Sequence, residues 1–315
     1  MRKNIHFIFG ASGFVGSHLI NKINKKHIIF AFDKKPIRLK KKNLFFFKTD
    51  LSKLGKINTL LLSIFKKYKI KKINCFWQLA ANSDIKSGSE SGTIDLRDTF
   101  LTTYNSTEVL LRNNIEVDKY IFSSTSAVYG DYQLKFSEKS ETKPISNYGA
   151  MKMASEACLS AYCNTSNTKT YIIRFPNVIG KNMTHGLIFD LVKKNYNNPN
   201  ALPILGNGNQ QKQYMTVNCL LDSIFYILKK SKEKYSVYNI ASEDSGIKVS
   251  DIVNYFIKIN KLKTKPYFEK KDYGWVGDVP RFKFDVKKLK KLGWYFGENS
   301  LRAIKWTIKN TKLKT

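Results

Sequence analysis

The sequence is poor in cysteine and has no long apolar run. Its 315 residues include four cysteines, and no two of them form a Cys-x-x-Cys pair. A zinc site or a disulfide framework is therefore not indicated, and we expect a reducing compartment and no metal. No segment approaches the ~18 to 20 uncharged apolar residues of a membrane span, and the first apolar run is too short for a signal peptide. We therefore expect a cytoplasmic protein that makes no membrane contact.

Acidic residues and arginines are also scarce. The chain carries 55 Lys and Arg against 24 Asp and Glu, for a net charge of +31, and only 7 of the 55 basic residues are arginines. This surplus could favour a phosphate-bearing partner such as a nucleic acid. Nucleic-acid surfaces more often use arginine, however, and an A/T-rich coding sequence would also enrich lysine. We favour the compositional explanation and expect no nucleic-acid partner. A non-catalytic anion- or nucleic-acid-binding module is kept as a remote alternative.

Short apolar, β-branched or aromatic runs alternate with longer segments of helical period. This alternation predicts an α/β protein with a Rossmann-type, doubly wound parallel sheet, whose sites lie just after each strand. The predicted strands are residues 6–9, 28–32, 44–48, 75–80, 119–123, 170–175 and, later in the chain, 237–241. The predicted helices between the first six are residues 15–25, 54–68, 93–113 and 148–162.

The pattern loosens after residue 180 into short helices and turns rich in Gly, Pro and Asn. It predicts a sheet domain over residues 1–180, which gains a strand and a helix from residues 214–241. Residues 181–315 are then expected to form mainly a smaller C-terminal substrate lobe.

A glycine-rich turn follows the first predicted strand directly. Gly10, Gly13 and Gly16 would let the main chain approach a pyrophosphate, which the following helix start would attract. Asp33 ends the second strand, where a carboxylate binds the adenosine ribose hydroxyls and favours NAD over NADP; the adjacent Lys34 weakens that preference. The residues expected to contact the cofactor here are Gly10, Ser12, Gly13, Phe14, Val15, Gly16, Asp33, Lys34, Asp50 and Leu51.

A tyrosine and a lysine open the helix after the fifth strand. Tyr148 and Lys152 are four residues apart, so they share one helix face. An ammonium beside a phenol favours the phenolate, which lowers the tyrosine pKa toward the range of a general base. The hydroxyl of Thr125, at the end of the fifth strand, could bond the same substrate oxygen.

These segments together resemble the extended short-chain dehydrogenase/reductase family, and within it the NAD-dependent nucleotide-sugar epimerases and dehydratases. The resemblance covers essentially the whole chain. It rests on GASGFVG (10–16), Asp33, Asp50-Leu51, LAAN (79–82), SSTSAVYG (123–130), YGAMK (148–152) and RFPNVIG (174–180). THGLIFD (184–190), LGNGNQQKQYMTV (205–217) and GWVGDVPRF (274–282) look like a branch related to UDP-glucose 4-epimerase.

The resemblance implies NAD as cofactor and assigns roles by position. Tyr148 would be the base, Lys152 would bind the nicotinamide ribose, and Thr125 would complete a catalytic triad. Further implied cofactor contacts are Leu79, Ala80, Ala81, Ser123, Phe175 and Pro176. The expected substrate contacts are Ser83, Thr125, Ser126, Asn177, His185, Leu202, Pro203, Ile204, Lys212, Tyr214 and Arg281. His185 fits a helix-start or packing role equally well, and Arg281 fits an ion pair with Asp278.

Departures from the family pattern narrow the chemistry. The 4,6-dehydratases follow the active-site threonine with an Asp-Glu pair, and here those positions are Ser126 and Ala127. Elimination of water needs such an extra acid and base, so it is disfavoured. Trp275 stands where several epimerases place an arginine, and Thr99 where many relatives have asparagine.

We therefore predict an NAD-dependent epimerase that inverts C4 of a UDP-hexose through a transient 4-keto intermediate. The alternative is an NAD(P)H-dependent reductase of nucleotide 4-ketosugars. The family also implies a homodimer, formed through the helices near residues 93–113 and 148–162.

Overall fold

Fifteen strands and eleven α-helices are seen in the described part of the chain. The computed structural model describes residues 3–274 and 277–311, and of residues 85–87 only the main chain. The strands are β1 (Ile5–Phe9), β2 (Ile28–Asp33), β3 (Leu44–Lys48), β4 (Lys72–Gln78), β5 (Glu116–Ser123), β6 (Lys135–Phe136), β7 (Lys169–Arg174), β8 (Asn177–Ile179), β9 (Ala201–Ile204), β10 (Gln211–Lys212), β11 (Tyr214–Thr216), β12 (Tyr235–Asn239), β13 (Ile247–Lys248), β14 (Lys265–Phe268) and β15 (Lys283–Phe284). The helices are α1 (Phe14–Lys22), α2 (Leu54–Tyr68), α3 (Ile85–Glu90), α4 (Gly92–Asp95), α5 (Thr102–Arg112), α6 (Asn147–Thr165), α7 (Leu187–Asn197), α8 (Val217–Lys230), α9 (Val249–Ile259), α10 (Lys287–Lys291) and α11 (Ser300–Asn310).

Seven of the strands form one parallel sheet in the order β3-β2-β1-β4-β5-β7-β12. The predicted doubly wound sheet is confirmed, including its seventh strand, which spans Tyr235–Asn239 rather than 237–241. The strand order reverses between β1 and β4, whose register pairs Phe9 with Gln78. In such sheets the ligand crevice lies beyond the carboxyl ends of the strands at this reversal.

Aromatic side chains build the core on one face of the sheet. Phe7 and Phe9 are two residues apart on β1, so they point to the same face, where their rings contact Phe32 and Phe76. Each fully buried side chain of this size contributes roughly 1.5–3 kcal/mol relative to an exposed one. Helices α2, α5 and α6 supply further members of this core: Ile57, Leu61, Ile64, Val109, Leu110, Leu159 and Tyr162.

The single helix predicted over residues 93–113 is interrupted. The structure has α4, then a π-helix (Leu96–Leu101), then α5. Threonine hydroxyls accompany the interruption, because Thr102 and Thr103 both donate to the main-chain oxygen of Thr99. Such back-bonding competes with the regular helical hydrogen bonds, which the sequence period does not reveal. Single turns of π-helix are frequent near functional sites.

The chain forms two compact units whose segments interleave. The first contains the residues up to Thr125, Asn147–Ile173 and Lys232–Val237; the second contains Ser126–Ser146, Arg174–Ser231 and the residues from Tyr238 onward. The sequence pattern predicts a single boundary at residue 180, and this division differs from it. Residues 126–146 belong to the second unit, where their strand β6 pairs with β15. The second unit has its own aromatic core, which includes Tyr129, Phe136 and Phe284. Over the ranges that the structure describes, no helix has both the length and the apolarity to cross a membrane.

Candidate active site

The glycine turn after β1 is shaped for close approach of the main chain. Gly10 has φ +82°, and a Cβ there would lie 2.6 Å from the main-chain nitrogen of Ala80. A Cβ on Gly16 would lie 2.3 Å from the oxygen of Gly10. The N-cap of α1 is Gly13, which has no side chain to accept hydrogen bonds from the first-turn N–H groups. These groups are therefore placed to bind an anion, and the turn fits a dinucleotide pyrophosphate.

Asp33, at the end of β2, holds the glycine turn through two main-chain hydrogen bonds. One carboxylate oxygen accepts from the N–H of Ser12 at 3.0 Å, and the other accepts from the N–H of Lys35 at 3.0 Å. The carboxylate is partly exposed beside the turn, where the adenosine ribose is expected. The ammonium of Lys34, which was predicted to contact the cofactor, pairs with the carboxylate of Asp98 at 2.8 Å.

The other predicted cofactor residues lie at the ends of neighbouring strands. Asp50 follows β3; burial tends to raise its pKa, but two hydrogen bonds from Ser52 outweigh burial and the pKa is lowered. Leu51 is buried, and its main-chain oxygen accepts a hydrogen bond from the side chain of Asn105.

Leu79 follows β4 and donates its main-chain N–H to the oxygen of Phe9 at 3.0 Å. Ala80 and Ala81 are partly buried beside it, and Phe14 and Val15 open α1.

Thr125, Tyr148 and Lys152 come together in the first unit. The side chains of Thr125 and Tyr148 are hydrogen-bonded to each other. The Lys152 ammonium donates to the main-chain oxygen of Ser123 at 2.5 Å and lies 5.9 Å from the centre of the Tyr148 ring. Helix α6 supplies the tyrosine and the lysine, and the end of β5 supplies the hydroxyl. This arrangement can hold an oxygen between two hydroxyls and move its proton.

The pKa values of Tyr148 and Lys152 are both shifted in the direction that disfavours the charged form of the side chain. Burial raises the pKa of Tyr148, the negative charge of Asp95 raises it further, and the hydrogen bond with Thr125 lowers it. Burial lowers the pKa of Lys152 to about 7, opposed by the charges of Glu156 and Asp95. The prediction that the Tyr148 pKa is lowered is therefore wrong for the net shift, because burial dominates.

Two carboxylates near this pair were not predicted from the sequence. Asp95 is fully buried and accepts a hydrogen bond from the Asn82 side chain at 2.9 Å. Glu156 is buried one turn after Lys152 and accepts from the hydroxyl of Ser124. The spacing of four residues could have placed Glu156 on the Lys152 face. No sequence pattern distinguishes Asp95 from the surface acids.

The predicted substrate residues near β8 and β11 lie close to one another within the second unit. Asn177 and Tyr214 are partners in the register of β8 and β11, and the Asn177 amide donates to the oxygen of Gln213 at 3.4 Å. Tyr214 is buried, and its pKa is raised by burial and then by Asp278. Phe175 and Pro176 precede β8, and the main-chain oxygen of Phe175 accepts from Ser126.

Lys212, predicted to bind the diphosphate, already has a carboxylate partner. Its ammonium pairs with Asp278, and both side chains are largely buried. Asp278 also accepts from the N–H of Gly274 at 3.0 Å. Arg281 is exposed, and the carboxylate of Asp278 pairs with Lys212 instead. Trp275 lies outside the described residues.

The remaining predicted substrate contacts differ in how exposed they are to solvent. Leu202 and Ile204 on β9 are 0% and 2% exposed, so any ligand contact from them would have to use the main chain. Pro203 between them is exposed. His185 is exposed and bonds the Thr184 hydroxyl at 3.1 Å. Ser83 is exposed in the first unit, just after the carboxyl end of β4.

Known proteins resemble the chain over nearly its whole length. Bacillus subtilis YtcB, named an uncharacterized UDP-glucose epimerase, is 26% identical over 303 residues, which cover 94% of this chain and 93% of that protein. A crystal structure of a UDP-galactose 4-epimerase has a TM-score of 0.83 and 26% identity, covering 97% of this chain and 98% of that one. Bacillus cereus UDP-glucuronic acid 4-epimerase, solved with UDP-glucuronic acid and NAD, shares the fold at a TM-score of 0.82 and 20% identity, covering 97% and 98%.

A family model also matches residues 6–241, and its description is the NAD dependent epimerase/dehydratase family. The matched residues include the glycine turn, Asp33 and the Thr125, Tyr148 and Lys152 cluster. The chain therefore belongs to the NAD dependent epimerase/dehydratase family, a branch of the extended short-chain dehydrogenase/reductase enzymes, and is an NAD-dependent enzyme.

Proposed function

We propose that the protein epimerises C4 of a UDP-hexose through a transient 4-keto sugar. The observation that carries the proposal is the hydrogen-bonded pair of Thr125 and Tyr148, with Lys152 buried beside it and no carboxylate at the next two positions, Ser126 and Ala127. A dehydratase needs an acid and a base in addition to the tyrosine. The names of the similar proteins YtcB and UDP-galactose 4-epimerase support a UDP-hexose as the substrate.

In this proposal the side chains of Thr125, Tyr148 and Lys152 act together in the transfer of the C4 hydroxyl proton. Thr125 binds the C4 hydroxyl, and Tyr148 removes its proton once its own phenol has ionised. The Lys152 ammonium, anchored on Ser123, stabilises the phenolate charge. Bound NAD would supply the chemistry of reversible hydride transfer at C4. Epimerisation then requires that the keto sugar present its other face before Tyr148 gives the proton back.

The cofactor would be held by the first unit. The first-turn N–H groups of α1 would bind the pyrophosphate, and Asp33 would accept from the adenosine ribose hydroxyls. The contact predicted for Lys34 is not part of this proposal, because its ammonium pairs with Asp98. Ser83, Asn177, Tyr214 and Lys212 stay as proposed substrate contacts.

The reaction is tested by incubating the protein with UDP-glucose, UDP-galactose, UDP-N-acetylglucosamine and UDP-glucuronic acid and following the sugars by NMR. We expect one pair of C4 epimers to interconvert with no net change in nicotinamide. Net oxidation of NADH or NADPH with a 4-keto sugar would support the reductase instead. Absence of interconversion for every UDP-hexose would contradict the proposal.

The role of Tyr148 has a matched control on the same helix. Tyr148→Phe should lower kcat by ~10²-fold or more, because it removes the base. Tyr162→Phe also removes one hydroxyl from α6, but that hydroxyl bonds Thr168 in the core, so its kcat should be close to that of the wild type. Equal activities of the two variants would remove Tyr148 from the mechanism.

We also propose a homodimer that uses the helices near 93–113 and 148–162. Apolar side chains on these helices are 37–41% exposed, and they are Leu96, Tyr104, Leu111 and Met153. Light scattering should give twice the chain mass, and Met153→Glu should reduce it to one chain. A wild-type protein that stays monomeric at micromolar concentration would contradict the dimer.

A further inference from the structure

A buried carboxylate with one unpartnered oxygen lies against Gly88, close to the start of α6. The main-chain oxygen of Gly88 accepts a hydrogen bond from the side chain of Asn147, the residue before Tyr148, at 3.1 Å. Asp95 ends α4, and its side chain is 0% exposed. Its Oδ1 accepts a hydrogen bond from the Asn82 side chain at 2.9 Å. Its Oδ2 has no hydrogen-bond partner among the described residues. Leaving a buried acceptor unsatisfied lowers stability, and does so more strongly for a charged group, so this oxygen calls for an explanation.

The surrounding chain is built closely around this carboxylate. A Cβ on Gly88 would lie 1.9 Å from Oδ2 of Asp95, so a larger residue at position 88 would have to displace the carboxylate. Asn82, which donates to the other oxygen, is itself held because its main-chain N–H donates to the Thr99 hydroxyl at 3.0 Å. The Asn82 amide also donates to the oxygen of Asp84 at 2.8 Å. The position of the carboxylate is therefore fixed by three segments of the first unit.

The charge of Asp95 acts on both members of the proposed proton-transfer pair. It raises the pKa of Tyr148, after the larger effect of burial, and it raises the pKa of Lys152 against the lowering effect of burial. Glu156, from α6 itself, acts on Lys152 in the same direction. Asp95 therefore bears on both groups.

The charges facing Asp95 come from three neighbouring elements. Burial raises its own pKa; Asp98, on the π-helix, and Asp84, before α3, add to the increase, whereas Lys152 on α6 and the hydrogen bond from Asn82 lower it. The ammonium of Lys152 is the positive charge that lowers the pKa of Asp95.

We propose that Asp95 is a positioning residue of the Tyr148 and Lys152 pair, and that its buried, fixed carboxylate keeps a negative charge next to the start of α6. The proposal rests on the function proposed above, in which Tyr148 is the base. A negative charge beside the two groups favours the neutral phenol and the ammonium. The pH profile of kcat then has its lower limb at the pKa of Lys152 and its upper limb at the raised pKa of Tyr148, and Asp95 moves both limbs in one direction.

The charge is removed with little change of shape in Asp95→Asn. We expect both limbs of the pH profile of kcat to shift to lower pH, by on the order of one unit. A purely structural role would lower the height of the profile without moving its limbs, and that result would overturn the proposal. Glu90→Gln removes one charge from an exposed residue of the same segment and should leave both limbs in place.

A second measurement needs no substrate. The protein is labelled with ¹³C-tyrosine, and the NMR signal of the ring carbon Cζ of Tyr148 is assigned by its loss in Tyr148→Phe. This signal is followed as a function of pH. We expect the titration midpoint of Tyr148 to lie at lower pH in Asp95→Asn than in the wild type. An unchanged titration overturns the proposal even if the wild type epimerises no UDP-hexose. A shifted titration in a protein without epimerase activity supports the role of Asp95 and contradicts only the proposed reaction.

A third variant covers the case in which Asp95→Asn does not fold. Gly88→Ala keeps every charge but must displace the Asp95 carboxylate, because the new Cβ would overlap Oδ2. A shift of the Tyr148 titration in this variant supports the proposal, and an unshifted titration overturns it.

Discussion

The ammonium of Lys152 donates a hydrogen bond to the main-chain oxygen of Ser123 at 2.5 Å, which joins α6 to the carboxyl end of β5. The side chain of Lys152 is buried, and its nitrogen also lies 4.6 Å from the centre of the Phe122 ring. A charge buried in this way is stabilised by a carbonyl dipole and an aromatic face.

The burial of Lys152 should make stability depend on pH. Burial lowers its pKa from 10.5 to about 7, so between these values the unfolded chain binds more protons than the folded one. The contribution of this group to the free energy of unfolding therefore rises with pH between about 7 and 10.5. Urea unfolding should show that the free energy of unfolding of the wild type increases relative to that of Lys152→Met from pH 7 to pH 10. A constant difference would contradict the burial of an ammonium, and Lys56→Met, at an exposed lysine of α2, is the control.

Gly10 should be essential for cofactor binding. In Gly10→Ala the new Cβ meets the main chain of Ala80, and the left-handed φ adds roughly 1 kcal/mol of strain. We expect the Kd for NADH to rise about tenfold or more, measured by calorimetry. Gly55→Ala adds a Cβ in open space near the start of α2, so it should bind NADH as the wild type does. Equal affinities for the two variants would place the cofactor elsewhere.

The ion pair of Lys212 and Asp278 should be strongly coupled. Removing one partner leaves a largely buried charge uncompensated, which costs about 3–5 kcal/mol. Lys212→Met and Asp278→Asn should each lower the free energy of unfolding, and the double variant should lose less than the sum of the two, by roughly 1–3 kcal/mol. Additive losses in chemical unfolding would show that the two charges do not interact.

The cysteines should react with thiol reagents in a definite order. Burial raises the pKa of Cys75 to about 12, and burial with nearby Glu298 does the same for Cys219. Alkylation proceeds through the thiolate, so at pH 8 both should stay unmodified in the folded protein. Cys158 is only partly buried and should react first, as measured by mass spectrometry. Modification of Cys75 before Cys158 would contradict this order.

Much of the fold was predictable because it depends on local patterns. Helix α2 has the predicted bounds, Leu54–Tyr68, since its apolar residues repeat at helical spacing. The glycine turn and Asp33 come directly after strands, and parallel strands all direct their carboxyl ends to one edge. For the same reason Thr125, Tyr148 and Lys152 could be placed together in advance.

Other features depend on which side chains meet after folding. Asp95 has no local feature that separates it from Asp84 or Asp98, and only its burial against Gly88 distinguishes it. Lys212 has the position of a diphosphate contact, but the partner that it finds, Asp278, is 66 residues away in the chain. Neither relation follows from hydrophobic period or motif spacing.

The amino-acid sequence alone determined the parallel sheet, the glycine turn for NAD and the positions of the tyrosine and lysine, because each depends on short-range periodicity and on residues adjacent to strand ends. Only the tertiary structure decided the direction in which the pKa values of the tyrosine and the lysine shift. Burial disfavours the charged forms of Tyr148 and Lys152, and the fixed carboxylate of Asp95 acts on both. A pKa depends on the solvent and charges that surround a group in space, and the chain brings those surroundings together only when it folds.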